Sequence, residues 1–201
     1  MKTDVKLIDV IELIKRKNYS LYTEPKRLNI TGIRSVNRTV NLFNDLFWVF
    51  WMEGTEQKSF SMIGTTDPGL TYLKKLLNPK GTGILVPGQY DYKLGLHKGK
   101  IKAFVQDGPV KLYRDKNKDD IMDMNPNTID SGYYGVNIHP TSVFNPKFIG
   151  PWSAACQVPQ NKEEFAYLIA LAEEHKKLYG NKFKYTLLLE EEINLFFKPE
   201  I

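Results

Sequence analysis

Two hydrophobic periods share the chain. Over residues 4–17, Val5, Ile8 and Ile11, with Leu7 and Ile14 on the flank, recur at helical spacing and predict an amphipathic helix that packs on the domain or on a partner. Residues 22–27 contain Pro25 and read as a linker, followed by a strand over residues 28–33. This divides the chain into an N-terminal helix and linker, residues 1–26, and a main domain, residues 27–201. Residues 46–52, LFWVFWM, are the most apolar run. Large side chains would face both sides of an extended chain, which predicts a doubly buried strand over the alternative of an exposed aromatic strip. A turn at residues 54–58 and a strand over residues 59–63 complete a hairpin.

The pattern then becomes interrupted. In TTDPG, residues 65–69, Asp67 is placed to cap a short helix that has Pro68 at its first position and runs to Leu77. Residues 83–92, 100–106 and 110–115 read as short strands separated by Gly- and Pro-bearing turns. Asn161 predicts the cap of a helix with Glu164 placed to reach back, and Phe165, Leu168, Ile169 and Ala172 form its apolar stripe. Gly180 and Asn181 end it, with His175 expected at the surface. Residues 184–189 read as a closing strand, and residues 190–201 as a mixed tail whose Phe196 and Phe197 pack back. The sum is a β-rich α+β fold, a sandwich or barrel with a few packed helices.

Composition narrows the class. Of 201 residues 42% are apolar, enough for a packed core, and a single cysteine excludes an internal disulfide framework. The net charge of +5 is scattered over short groups such as Lys15–Lys17, Lys74–Lys75 and Lys176–Lys177. It favours anionic surroundings, but without a basic-aromatic stripe it does not indicate nucleic acid. No segment approaches the roughly 18–20 apolar residues needed to span a bilayer. The first seventeen residues are charged throughout and lack a small-residue cleavage site, unlike a secretory signal.

The reactive side chains lie in YYGVNIHPTSVFNPKFIGPWSAACQ, residues 133–157. His139 ends an apolar run, and Cys156 follows with sixteen residues between them. A thiol is mostly protonated at neutral pH, so a nucleophilic cysteine needs an imidazole to take its proton or stabilise the thiolate. A depressed thiol pKa and an alkylation rate that falls with His139→Ala would support such a pair, whereas ordinary, slow labelling unaffected by that substitution would favour a non-catalytic protein. Ser153, Ala154 and Ala155 are small, and their backbone N–H groups can approach a developing oxyanion, although small residues also suit a plain turn. Taken alone, the two residues also fit a buried cysteine and a structural histidine.

Ile138-His139, a loop, and Trp152-Ser153-Ala154-Ala155-Cys156 together resemble the signature of the L,D-transpeptidase (YkuD-like) catalytic domain, in which a histidine precedes a Ser/Thr-His-Gly-Cys segment by a similar interval. The resemblance spans about residues 84–190, with its specific motif in residues 138–156. It implies His139 as general base, Cys156 as nucleophile, Ser153 as the family's Ser/Thr, and the Pro140 carbonyl as the group that orients the imidazole. It also implies an oxyanion site at the backbone of Ala155 and Cys156, and a substrate-binding wall carrying Trp152, Thr66 and Asp67. Three positions depart: Ala154 replaces the histidine, Ala155 the glycine, and Val158 the arginine or asparagine. Ala155 is tolerable only if its φ is negative. TTDPG, YRD, NIHP and WSAAC also resemble phage-encoded relatives of this fold. The implied substrate is a peptidoglycan stem peptide, cut or joined after a D-configured or meso-diamino acid residue, with no cofactor. Action at the bacterial wall then requires export by lysis or virion delivery. The alternative is an inactive wall-binding or virion structural module on the same fold.

Other motifs add little. Gly81-Thr82-Gly83 lacks the flanking elements of a dinucleotide loop. The three histidines and one cysteine have no zinc-site spacing, and His97 reads as part of a turn. Residues 115–123 alternate oxygen donors like half a calcium loop, but Pro126 stands where the closing glutamate belongs, so a solvated polar loop is expected.

Overall fold

A computed structural model describes residues 5–197. In chain order, the first half contains α1 (Leu7–Arg16), β1 (Asn29–Arg34), β2 (Asp45–Glu53), β3 (Glu56–Thr65), α2 (Leu70–Lys74), β4 (Thr82–Leu85) and β5 (Gly88–His97). The second contains β6 (Ile101–Gln106), β7 (Val110–Asp115), β8 (Asp130–Gly132), β9 (Val158–Pro159), α3 (Lys162–Tyr179), β10 (Phe183–Leu189) and α4 (Glu190–Phe197). The fold is β-rich α+β. Seven strands form one curled sheet in the order β6-β5-β10-β1-β2-β3-β9, and β4-β7-β8 form a second, smaller one.

β2 explains the most apolar run. Phe47, Val49 and Trp51 enter one hydrophobic core and Leu46 and Phe50 the other, so the strand is buried on both faces. The first core is closed by α3 through Phe165, Leu168, Ile169 and Ala172, the predicted stripe, and Asn161 caps that helix by accepting from the N–H groups of Glu163 and Glu164. The second core is covered by α1 and α4.

Several expectations are corrected. α1 begins at Leu7, after Val5, and buries Val10, Ile11, Leu13 and Ile14, leaving Ile8 59% exposed. β10 is an interior strand, paired parallel to β1 and antiparallel to β5, because its apolar side chains serve both cores. The expected tail forms α4, whose Ile193 is buried and whose Glu192 carboxylate meets Lys17 Nζ at 2.6 Å. Phe196 is half exposed beneath the Arg16 guanidinium; the packing of the Phe197 side chain and residues 198–201 lie outside the described residues.

His175 is fully buried, because its imidazole satisfies two backbone groups: Nδ1 accepts from Leu28 N–H at 3.0 Å and Nε2–H donates to Lys182 O at 3.1 Å. α2 starts after Gly69 with no side-chain cap. Asp67 turns instead to Arg34, a fully buried residue, with Oδ1 2.7 Å from Nε. That contact is off-axis, since Arg34 Nε–H is directed at Thr66 Oγ1 at 3.0 Å. In the polar loop, Asp115 and Asp119 accept from the backbone N–H groups of Asp123 and Ile121. No helix among the described residues is long and apolar enough to cross a membrane.

Candidate active site

The ends of the curled sheet are joined by one short segment, and the reactive residues sit there. Ile138 exchanges backbone hydrogen bonds with Phe104 of β6 at 2.9 and 3.0 Å. On its other side the segment runs parallel to Gln157, with Gln157 N–H donating to Asn137 O at 2.9 Å and His139 N–H to Gln157 O at 3.1 Å. Val158 and Pro159 then pair with β3. This junction brings His139 and Cys156 together despite their separation in sequence.

Hydrogen bonding fixes the proton on each ring. A carbonyl only accepts, so His139 Nδ1, 3.0 Å from Pro140 O, carries the hydrogen. His139 Nε2 therefore presents its lone pair, and it is buried with no partner. His97 was missed as a site residue. It ends β5 and stacks on His139 with ring centroids 4.0 Å apart and planes 20° apart. A ring nitrogen from each histidine and Cys156 Sγ all lie within 4.8 Å of one another. No hydrogen bond joins imidazole and sulfur among the described residues: the thiol donates to Gly135 O at 3.6 Å and accepts from Asn137 N–H at 3.5 Å.

The same geometry limits metal binding. His139 Nε2 is unpartnered, but Cys156 Sγ is held between Gly135 O and Asn137 N–H, and His97 Nδ1 is engaged by Asn137 Nδ2 at 3.0 Å. His97 would have to exchange its tautomer to offer the other nitrogen.

Cys156 is partly exposed on the wall of a cleft of about 200 Å³ that His97, Lys98, His139 and Trp152 also line. A second cleft, of about 220 Å³ and reaching Arg114, shares Tyr72, Leu77, Tyr134, Ala154 and Ala155 with the first. Ala155 is not among the residues with positive φ, so its methyl group is compatible with the turn. Among the described residues, the backbone N–H groups of Ala154, Ala155 and Cys156 have no acceptor.

A buried polar network supports this loop. Ser153 faces inward, and its Oγ–H donates to Cys156 O at 2.7 Å. The Gln157 amide donates to Ala155 O at 3.1 Å and Thr66 O at 3.4 Å, and accepts from Tyr185 Oη–H at 2.8 Å. Arg34 also donates to Thr66 O, at 2.9 Å. Gly69 belongs to this support: its N–H donates to Ser153 O at 2.8 Å, and a Cβ there would stand 2.0 Å from Gly150 O. Thr66 and Asp67 are thus buried beneath the loop and do not line the cleft, whereas Trp152 does.

Burial sets the electrostatics. It pushes the Cys156 thiol above its ordinary 9.0, against the opposing effects of the Asn137 N–H and Lys98. The geometry therefore raises the thiol, the opposite of the depression that would mark a catalytic pair. Burial lowers His139 from 6.5, partly offset by the Pro140 hydrogen bond. His97 falls to about 4 through burial, His139 and Lys98. Beneath the loop, burial and the charge of Asp67 raise the Asp45 carboxyl to about 7, although it accepts from Ser35 N–H and from both Thr66 groups.

His97, Asn137, Gln157, Arg34 and Tyr185 carried no local signal of these roles; only the closed sheet brings them to the loop. No family model, curated protein or solved structure matches the chain.

Proposed function

We propose that this chain is a cysteine acyl-transfer enzyme of the L,D-transpeptidase type, acting on peptidoglycan stem peptides. One observation carries the reading: Cys156, a partly exposed residue whose sulfur is largely buried, and an unpartnered imidazole nitrogen of His139, its lone pair fixed by a backbone carbonyl, line one cleft. Both groups rest neutral, so the chemistry is general-base attack rather than reaction of a preformed thiolate. The sulfur closes on the substrate carbonyl carbon as His139 Nε2 takes the thiol proton, and the carbonyl π pair moves onto oxygen. The N–H groups of Ala155 and Cys156 meet that oxyanion. As the carbonyl re-forms, the bond to the leaving amine breaks, and the amine takes the proton from His139. The thioester then passes to an amine, as in crosslinking, or to water, as in hydrolysis.

A second reading, an inactive wall-binding or virion module, draws on Ala154, Ala155 and Val158 and on a thiol bonded to Gly135 O instead of to the imidazole. Digestion of defined muropeptides by the wild type and Cys156→Ala, with products read by mass, separates the two. Release, exchange or crosslinking that vanishes in Cys156→Ala is the expected result; unchanged muropeptides with intact binding to wall sacculi would replace the enzyme with the module.

A further inference from the structure

His97 has no part in the chemistry so far. It lines the cleft beside Cys156 and lies face to face with the proposed base. Its tautomer is set at a distance. Asn137 Oδ1 accepts from Gln106 N–H at 3.1 Å, which orients the amide so that Nδ2–H donates to His97 Nδ1 at 3.0 Å. The ring hydrogen must then sit on His97 Nε2, and among the described residues that N–H has no protein acceptor. A buried asparagine thus aligns a neutral donor that the protein itself leaves unused.

We infer that His97 is a catalytic residue of the acyl-transfer reaction, donating through Nε2–H to the substrate's reacting carbonyl oxygen. The inference rests on the acyl-transfer reading and adds a side-chain donor to the backbone N–H groups. When the C–S bond forms and the π pair moves to oxygen, that oxygen gains a charge which an oriented neutral N–H stabilises more than it stabilises the ground-state carbonyl. Neutrality matters here. His139 becomes imidazolium in the same step, and a second cation stacked at 4.0 Å would oppose it. Burial and its neighbours hold His97 neutral to about pH 4. A neutral imidazole polarising a carbonyl is established catalytic chemistry.

The test compares two reactions of one sulfur. p-Nitrophenyl acetate acylates through an oxyanion; iodoacetamide alkylates without one. His97→Phe keeps a ring against His139 but removes the donor, whereas His97→Gln keeps an N–H donor without the ring. Acetylation of Cys156, followed by p-nitrophenolate release and mass, should slow about 100-fold in His97→Phe, with alkylation changed by less than about twofold. His97→Gln should recover part of the acylation rate. Equal slowing of both reactions in His97→Phe would make the residue a structural prop, and no slowing of acylation would remove it from the site; either result overturns the inference. A wild type that is alkylated but never acetylated at Cys156 would sink the acyl-transfer reading itself, and the role of His97 with it.

Discussion

The resting protonation state of the thiol and imidazole is the most exposed consequence of this geometry. A cysteine protease-like ion pair requires the thiol to be more acidic than the imidazolium. Here the ordinary values, 9.0 and 6.5, already put proton transfer about 3.4 kcal/mol uphill. Burial moves the two further apart, raising the thiol and lowering the histidine. A thiol at 9.0 is about 1% ionised at pH 7, so Cys156 falls below that. The assay is the rate of iodoacetamide alkylation from pH 4 to 10, read by mass, in the wild type and His139→Ala. The wild-type rate should climb steadily through pH 9 with no plateau between pH 5 and 7. His139→Ala should leave that profile nearly unchanged while slowing acyl transfer by about 10²- to 10⁴-fold, the usual worth of a general base. A wild-type plateau at low pH that collapses in His139→Ala would reveal a thiolate–imidazolium pair and refute the electrostatic reasoning.

Three further substitutions probe the support and the core. Gly69→Ala drives a methyl group against Gly150 O, so it should cost about 1–3 kcal/mol and displace the Cys156 loop, seen as a lower melting temperature with impaired acylation; a fully active, equally stable variant would show that the loop does not depend on this close approach. Tyr185→Phe leaves Gln157 Oε1 buried without its hydroxyl donor and should cost about 1–3 kcal/mol in urea unfolding, a penalty absent if the network is dispensable. His175→Phe strands Leu28 N–H and Lys182 C=O and should cost about 2–4 kcal/mol near pH 7. Because burial lowers the folded pKa of His175 to about 4, below the ordinary 6.5, its contribution is complete above pH 6.5 and lost as pH falls through about 4. The variant's stability should therefore depend less on pH in that window, and an identical acid limb in both proteins would contradict the assignment.

What the sequence made legible follows from locality. β2 and its hairpin with β3 were readable because large apolar groups on consecutive residues need cover on both faces, and α3 because an asparagine cap precedes a helical stripe. Cys156 and His139 were singled out by the resemblance of residues 138–156 to the L,D-transpeptidase signature, since by chemistry and spacing alone a buried cysteine and a structural histidine were the readier reading. Other features were hidden because distant partners decide them. His97 follows the ordinary pattern of a strand running into a turn, and its stacking on His139 arises only when residues 136–139 cross β6. Asp67 has the local form of a helix cap, but the buried Arg34 competes for its carboxylate from another strand. His175 sits among lysines and glutamates, and its burial is explained by the backbone of residues 28 and 182 together with the rings of Tyr22, Tyr179 and Phe183.

The hydrogen bonds that close the sheet also assemble the candidate site, and this couples its geometry to a small part of the stability. Four backbone bonds tie Phe104, Asn137, Ile138, His139 and Gln157 together. At about 1 kcal/mol each they are modest beside burial of the two cores. Weakening them would leave the remaining ladders of the seven-stranded sheet and α3 in place while separating the imidazole from the sulfur by more than catalysis tolerates. A chain of this design can thus keep its fold while the geometry of the candidate site is lost. Two buried side chains set the orientation there: Gln157, which holds the Ala155 carbonyl while also bonding Thr66 O and Tyr185 Oη, and Asn137, which joins Gln106 of β6 to the ring of His97. Apolar residues of similar size at these two positions would leave Gln106 N–H and Tyr185 Oη without their partners and release the orientation of the loop and of the His97 ring together.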